Sequence, residues 1–157
     1  MSRDAEFEDL YQEVILDHYK RPRHQGPLAD YDVCQPGKNP LCGDELVLYV
    51  KDRGGCIDTS FTGHGCSISQ ASASIMVEAM AGREPEVCQD LIRRFEELMR
   101  QGLAGDVDGD DMTDIDALSG VRKFPVRIKC AALAWKAMEL ALAELAKASN
   151  DKGKKSE

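Results

Sequence analysis

Cys42, Asp44, Cys66 and Cys130 are the residues of this chain whose types and surroundings are best suited to chemistry. Cys42 and Asp44 lie in Asn39-Pro40-Leu41-Cys42-Gly43-Asp44, Cys66 closes Gly63-His64-Gly65-Cys66, and Cys130 falls near the start of the last amphipathic segment. Read together they make a site of three thiolates and one carboxylate. The cysteines are 24 and 64 residues apart, which excludes a local zinc finger, so the fold must assemble any such site from separate loops and helix ends. Four anionic donors would repel one another without a cation, and this set suits tetrahedral zinc or the iron of an iron-sulfur cluster. Composition and spacing alone leave a second account open, that of three ordinary buried cysteines and an aspartate in an Asx turn.

The elements that must position these residues can be read from hydrophobic periodicity. Phe7 to Lys20 places Leu10 and Val14, and Tyr11, Ile15 and Tyr19, at helical spacings, and Arg21-Pro22 ends that helix. Gly26-Pro27 and Pro36-Gly37 mark a loop, with a strand expected around Leu28 to Val33. Glu45 to Lys51 and Cys56 to Thr62 flank Asp52-Arg53-Gly54-Gly55 as a hairpin, with Ile57, Thr59 and Phe61 on one face of its second strand. A helix is expected from Ser67 to Ala81 with Ile68, Ala71, Ile75 and Ala79 as its apolar positions, and Gly82 stops it. Another should run from Pro85 to Gln101. Gly102 to Asp111 reads as a flexible acidic surface loop. Phe124-Pro125 then introduces a long helix with Ile128, Ala132, Trp135, Leu142 and Leu145 as its stripe. The order predicts an α+β fold: a three-stranded antiparallel sheet with helices packed on one face and a long C-terminal helix. Residues 1–148 should form a single domain and 149–157 a disordered tail rich in Lys, Ser, Gly and Asn.

In this arrangement Pro40 and Gly43 keep the Cys42 loop tight and low in bulk, and Asp44 can point back to the same centre. Unpaired N–H groups at the start of the helix after Cys66 would favour its thiolate form.

Composition limits what the chain can do. At 157 residues, 43% hydrophobic and 31% charged, it can build a core without disulfide staples. No apolar run reaches the roughly 18 to 20 residues needed to span a bilayer, and the N-terminal residues carry no apolar signal core, so a cytoplasmic location is expected. In a reducing compartment six cysteines read as thiols or metal ligands. A formal charge of −8 argues against nonspecific nucleic-acid binding and against acidic membrane surfaces. The acidity keeps the protein soluble or steers it toward a basic patch on a partner.

Three stretches carry a family resemblance: Asn39 to Asp44, Gly63-His64-Gly65-Cys66-Ser67-Ile68-Ser69, and Arg127-Ile128-Lys129-Cys130-Ala131-Ala132-Leu133-Ala134-Trp135. In this order they resemble the signatures of the U-type iron-sulfur assembly proteins, the IscU and SufU (NifU N-terminal-like) family. Tyr11 to Tyr19 with Pro22 is similar to that family's first helix, and the match runs over residues 7 to 145. Two departures favour the SufU-like branch. Lys129 stands where IscU-type proteins carry a histidine, and extra length lies around Glu84 to Asp108.

The resemblance implies a zinc-dependent sulfurtransferase that accepts persulfide sulfur from a pyridoxal-phosphate cysteine desulfurase of the SufS type. It would pass that sulfur to downstream iron-sulfur assembly proteins. Zinc would be held by Cys42, Asp44, Cys66 and Cys130, with Cys42 as the sulfur acceptor and the ligand expected to move. Two other functions use the same residues: a scaffold on which an iron-sulfur cluster is built, and a zinc-stabilised noncatalytic activator of the desulfurase. Cys34, Cys56 and Cys88 match no signature and read as packing or surface thiols, Cys34 being close enough in sequence to Cys42 for an adventitious disulfide. His64 could compete as a ligand, although the set is complete without it. His18 reads as a residue that packs or hydrogen-bonds at a helix edge in preference to doing chemistry, and Trp135 as a core anchor. Arg127 and Lys129 are either solvated or stabilise the anionic centre.

Overall fold

The computed structural model describes residues 13–40, 43–102 and 113–155, with side chains through 148. Cys42, most of the acidic stretch 102–111 and the first part of the opening helix lie outside the described residues. Helix α1 covers 13–20, and the Arg21 N–H closes its end on the Asp17 carbonyl at 2.8 Å. Three strands follow, β1 (Val33–Asn39), β2 (Asp44–Arg53) and β3 (Cys56–His64), in an antiparallel sheet of order β1-β2-β3. Then come α2 (Ser67–Met80), α3 (Pro85–Gln101), a 3-10 segment (Asp116–Lys123) and α4 (Pro125–Lys155). Among the described residues no helix is long and apolar enough to cross a membrane.

Strand alternation decides which face is covered. Asp44, Leu46, Leu48 and Val50 of β2 and Ile57, Thr59 and Phe61 of β3 are buried, while the residues between them are partly exposed. Helices α2 and α4 lie on that buried face, and α3 packs outside them. Phe95 of α3 stacks on Trp135 of α4 at 4.5 Å between centroids and 1° between planes, a pair worth about 0.5–1.5 kcal/mol beyond its area burial. The α+β architecture read from the sequence is the one observed.

Four details differ. The first strand runs over Val33–Asn39 and not over Leu28 to Val33, so Pro36-Gly37 is strand and not loop. An edge strand tolerates a proline, which has no N–H to give, and Gly37 lies under α4, where a Cβ would stand 3.4 Å from Leu133 Cδ1. In α1 the inward residue is His18, while Tyr19 is exposed. Helix α2 is buried nearly all round, because its small serines and alanines let neighbours approach from several sides. Finally, α4 is helical through Lys155, so it does not end at the expected boundary at Ser149. Its Ala- and Lys-rich end has no proline to stop it, and Gly153 alone costs only about 1 kcal/mol.

Candidate metal centre

The β2-β3 hairpin brings the start of one strand beside the end of the next, with Glu45 opposite His64. Asp44, the first residue of β2, therefore meets Cys66, which follows β3 and immediately precedes α2. The chain reaches Asp44 through Gly43, whose φ of +71° is a left-handed conformation suited to glycine and whose N–H bonds the Asn39 carbonyl at 2.9 Å. Across this end of the sheet α4 delivers Cys130 from its second turn.

Ligand atoms of Asp44, Cys66 and Cys130 all lie within 4.8 Å of one another. Asp44 and Cys130 are buried, and Cys66 is partly exposed. One carboxylate oxygen, Asp44 Oδ1, accepts the Cys66 backbone N–H at 2.8 Å, and the Cys66 thiol approaches the other, Oδ2, at 3.8 Å. The carboxylate thus does the capping that Cys66 does not: its sulfur makes no capping bond at the head of α2. Cys130 Sγ lies 3.8 Å from the Val126 carbonyl one turn back. Gly65 is required by closeness, since a Cβ there would sit 2.3 Å from Asp44 Oδ1 and 2.9 Å from Ser69 Oγ.

The geometry sorts the other residues named from sequence. His64 points to the opposite, outer face of the sheet, where Nε2 pairs with Glu45 Oε2 at 3.2 Å, so it does not join the three. Arg127 and Lys129 are exposed. Cys34 is exposed on the outward face of β1 and Cys56 is half-buried, while burial pushes the Cys88 thiol up to about 11. None of these three cysteines shares the centre, as the packing reading expected.

His18 packs and hydrogen-bonds as expected, and its partners, which the sequence did not indicate, form a second group. His18 is 1% exposed, and its Nδ1 lies 2.8 Å from Ser74 Oγ and its Nε2 2.7 Å from Asp114 Oδ2. Ser74 Oγ also accepts the Arg23 N–H at 2.8 Å, and Arg23 Nε pairs with Glu78 at 2.9 Å. With Asp114 as acceptor, Nε2 carries the proton and Ser74 donates to Nδ1, which satisfies every member. Arg23, then Arg21, also hold the Asp17 carboxyl below its ordinary range. Ser74, His18 and Asp114 follow one another like a hydrolase triad, but Ser74 is fully buried, out of reach of a substrate, so the arrangement is a structural one. The one available signal was a histidine on an amphipathic helix; its partner Asp114 is 96 residues away in sequence.

Comparison with known proteins adds independent information. The model of the NifU-like N terminal domain matches residues 10–151. The zinc-dependent sulfurtransferase SufU of Bacillus subtilis is 47% identical over 145 residues, covering 92% of this chain and 97% of that protein. The iron-sulfur cluster assembly scaffold protein IscU of Thermotoga maritima is 37% identical over 142 residues, covering 90% and 98%. Among solved structures, a Fervidobacterium islandicum protein described as an iron-sulfur cluster assembly scaffold for the SUF system superposes with a TM-score of 0.75 at 34% identity, over 86% of this chain and 98% of the other.

Proposed function

Because the chain belongs to the NifU-like N-terminal domain family, we propose that it is a zinc-dependent sulfurtransferase. It takes persulfide sulfur from a pyridoxal-phosphate cysteine desulfurase and hands it to downstream iron-sulfur assembly proteins. The observation that supports this most is the mutual closeness of Asp44, Cys66 and Cys130 within 4.8 Å. A tetrahedral centre with Zn–S bonds of about 2.3 Å places its ligand atoms roughly 3.8 Å apart. A two-iron cluster would divide three protein ligands between two metals and hold them further apart. Two thiols and a carboxylate fit one zinc, with Cys42, two residues before Asp44, as the fourth donor. Zinc bound there would compensate the negative charge and keep the thiols deprotonated at neutral pH.

Sulfur transfer is then the work of the chain's own residues. The Cys42 thiolate attacks the outer sulfur of the desulfurase persulfide. The S–S bond to the desulfurase cysteine breaks, that cysteine leaves as a thiolate, and Cys42 carries the new persulfide. No outside oxidant or reductant is needed. Asp44 meanwhile holds the Cys66 backbone through Oδ1, so Cys42 can depart while the Asp44–Cys66 pair stays in place. A reducing cytoplasm suits this chemistry, since the thiols remain available there.

Incubation with the desulfurase and cysteine, followed by peptide mass mapping, tests the reading. One added sulfur on Cys42 is expected, and Cys42→Ala should abolish both this uptake and the stimulation of the desulfurase. Stimulation that survives in Cys42→Ala would defeat sulfur transfer and favour the noncatalytic activator. The relative from Thermotoga maritima is named a scaffold, and this second reading predicts a brown, iron-containing protein.

A further inference from the structure

Ser72 lies on α2 six residues after Cys66, fully buried. Its hydroxyl donates to the Ala131 backbone carbonyl at 2.7 Å and accepts the Trp135 indole N–H at 2.9 Å. Ala131 is the residue after Cys130. One hydroxyl thus joins the helix headed by Cys66 to the turn of α4 that carries Cys130. A hydroxyl donor bonds well only within about 2.5–3.0 Å and over a limited range of angles. Donating and accepting at once fixes both the distance of α4 from α2 and its rotation about its own axis. Trp135 is itself held by its stack on Phe95 of α3.

We infer that Ser72 is a positioning residue that sets the separation of the Cys66 and Cys130 sulfurs before any metal arrives. This rests on the reading that both cysteines bind the metal. The hydroxyl touches neither sulfur and acts through the α2-α4 contact. Truncating it leaves the indole N–H unpaired in a dry interior and frees α4 to shift by a fraction of an ångström, enough to spoil a tetrahedral site.

The test compares Ser72→Ala with Asp114→Asn, which weakens the distant His18 contact and controls for loss of stability alone. Zinc-loaded proteins are challenged with a chelator, and cobalt-substituted samples are examined for thiolate-to-metal absorption. In Ser72→Ala zinc release should accelerate about tenfold or more, the scale of losing a group that orients a ligand, and the cobalt bands should weaken. Asp114→Asn should lower the melting temperature and leave both readouts unchanged. Release from Ser72→Ala within twofold of the parent, or equal acceleration in Asp114→Asn, would overturn the inference. If the parent protein retains no zinc, the zinc reading itself fails. The inference is then judged on the metal-free protein by the rate at which Cys66 and Cys130 close a disulfide under a fixed oxidant. That rate should fall at least threefold in Ser72→Ala, and equal rates overturn it.

Discussion

Two clusters of titratable side chains abut α2, and each brings three possible ligand atoms within 4.8 Å. At the head of the helix stand Asp44, Cys66 and Cys130; further along, around Ser74, stand His18, Glu78 and Asp114. They differ in the chemistry of their side chains. Around Ser74 each carboxylate meets a donor, Asp114 the His18 ring and Glu78 the Arg23 guanidinium, so the group is closed by its own hydrogen bonds. At the head of α2 two thiols and a carboxylate face one another, and the carboxylate gives one oxygen to a backbone N–H. Ionised, that group is purely anionic and gains from a cation. Proximity therefore does not distinguish a metal centre from a structural clasp, whereas the chemistry of the groups does: two thiols and a carboxylate at one, an imidazole paired with a carboxylate at the other.

This contrast can be broken most sharply at the head of α2. Cys130→Ala removes a proposed zinc ligand from a buried position and should weaken zinc binding by more than a hundredfold, because even residues that only orient ligands cost about 10–100-fold. Competition with a chromogenic chelator reads this directly. Asp44→Asn is the subtler variant: its amide oxygen can still accept the Cys66 N–H while the charge is gone. Zinc affinity should drop by about tenfold or more, with the melting temperature of the metal-free protein nearly unchanged. Unchanged zinc affinity would remove Asp44 from the ligand set.

The clasp should respond in the opposite way. His18→Ala leaves the Ser74 hydroxyl proton without its acceptor and a cavity behind it, and should cost about 2–4 kcal/mol in urea unfolding of the metal-free protein. Zinc bound per folded chain should not change. A loss of zinc as large as in Cys130→Ala would erase the distinction between the clusters.

A further effect concerns Cys88, a buried thiol outside both. Burial raises it from an ordinary 9.0 to about 11. Between these values the unfolded chain loses the proton and the folded chain keeps it, so the unfolded state binds fewer protons and stability falls as pH rises. The decline between pH 9 and 11 should be on the order of 1–3 kcal/mol, and Cys88→Ala should flatten it.

How much of this was legible in the sequence follows from the range of each signal. Short-range patterns carried α3, whose Pro85 start and Gln101 end are observed as read, and the hairpin faces of β3. Cys66 and Cys130 were recognisable from their backbone settings, and the fold places them together with Asp44. Pro36-Gly37 misled because the same residues that end a strand elsewhere are tolerated on a sheet edge under a helix. The 3-10 segment at Asp116–Lys123 was not anticipated, since eight residues of mixed character carry no clear period. Ser72 and Ser74 were hidden because a buried serine looks like a surface one until its partners, 51 to 63 residues away, are known.

Metal analysis of the purified protein, beside its visible spectrum, bears most directly on the central claim that the head of α2 holds a single zinc. The account predicts a colourless protein with about one zinc per chain, lost in Cys130→Ala and retained in His18→Ala. Iron and sulfide in place of zinc, with brown colour and visible absorption, would contradict it.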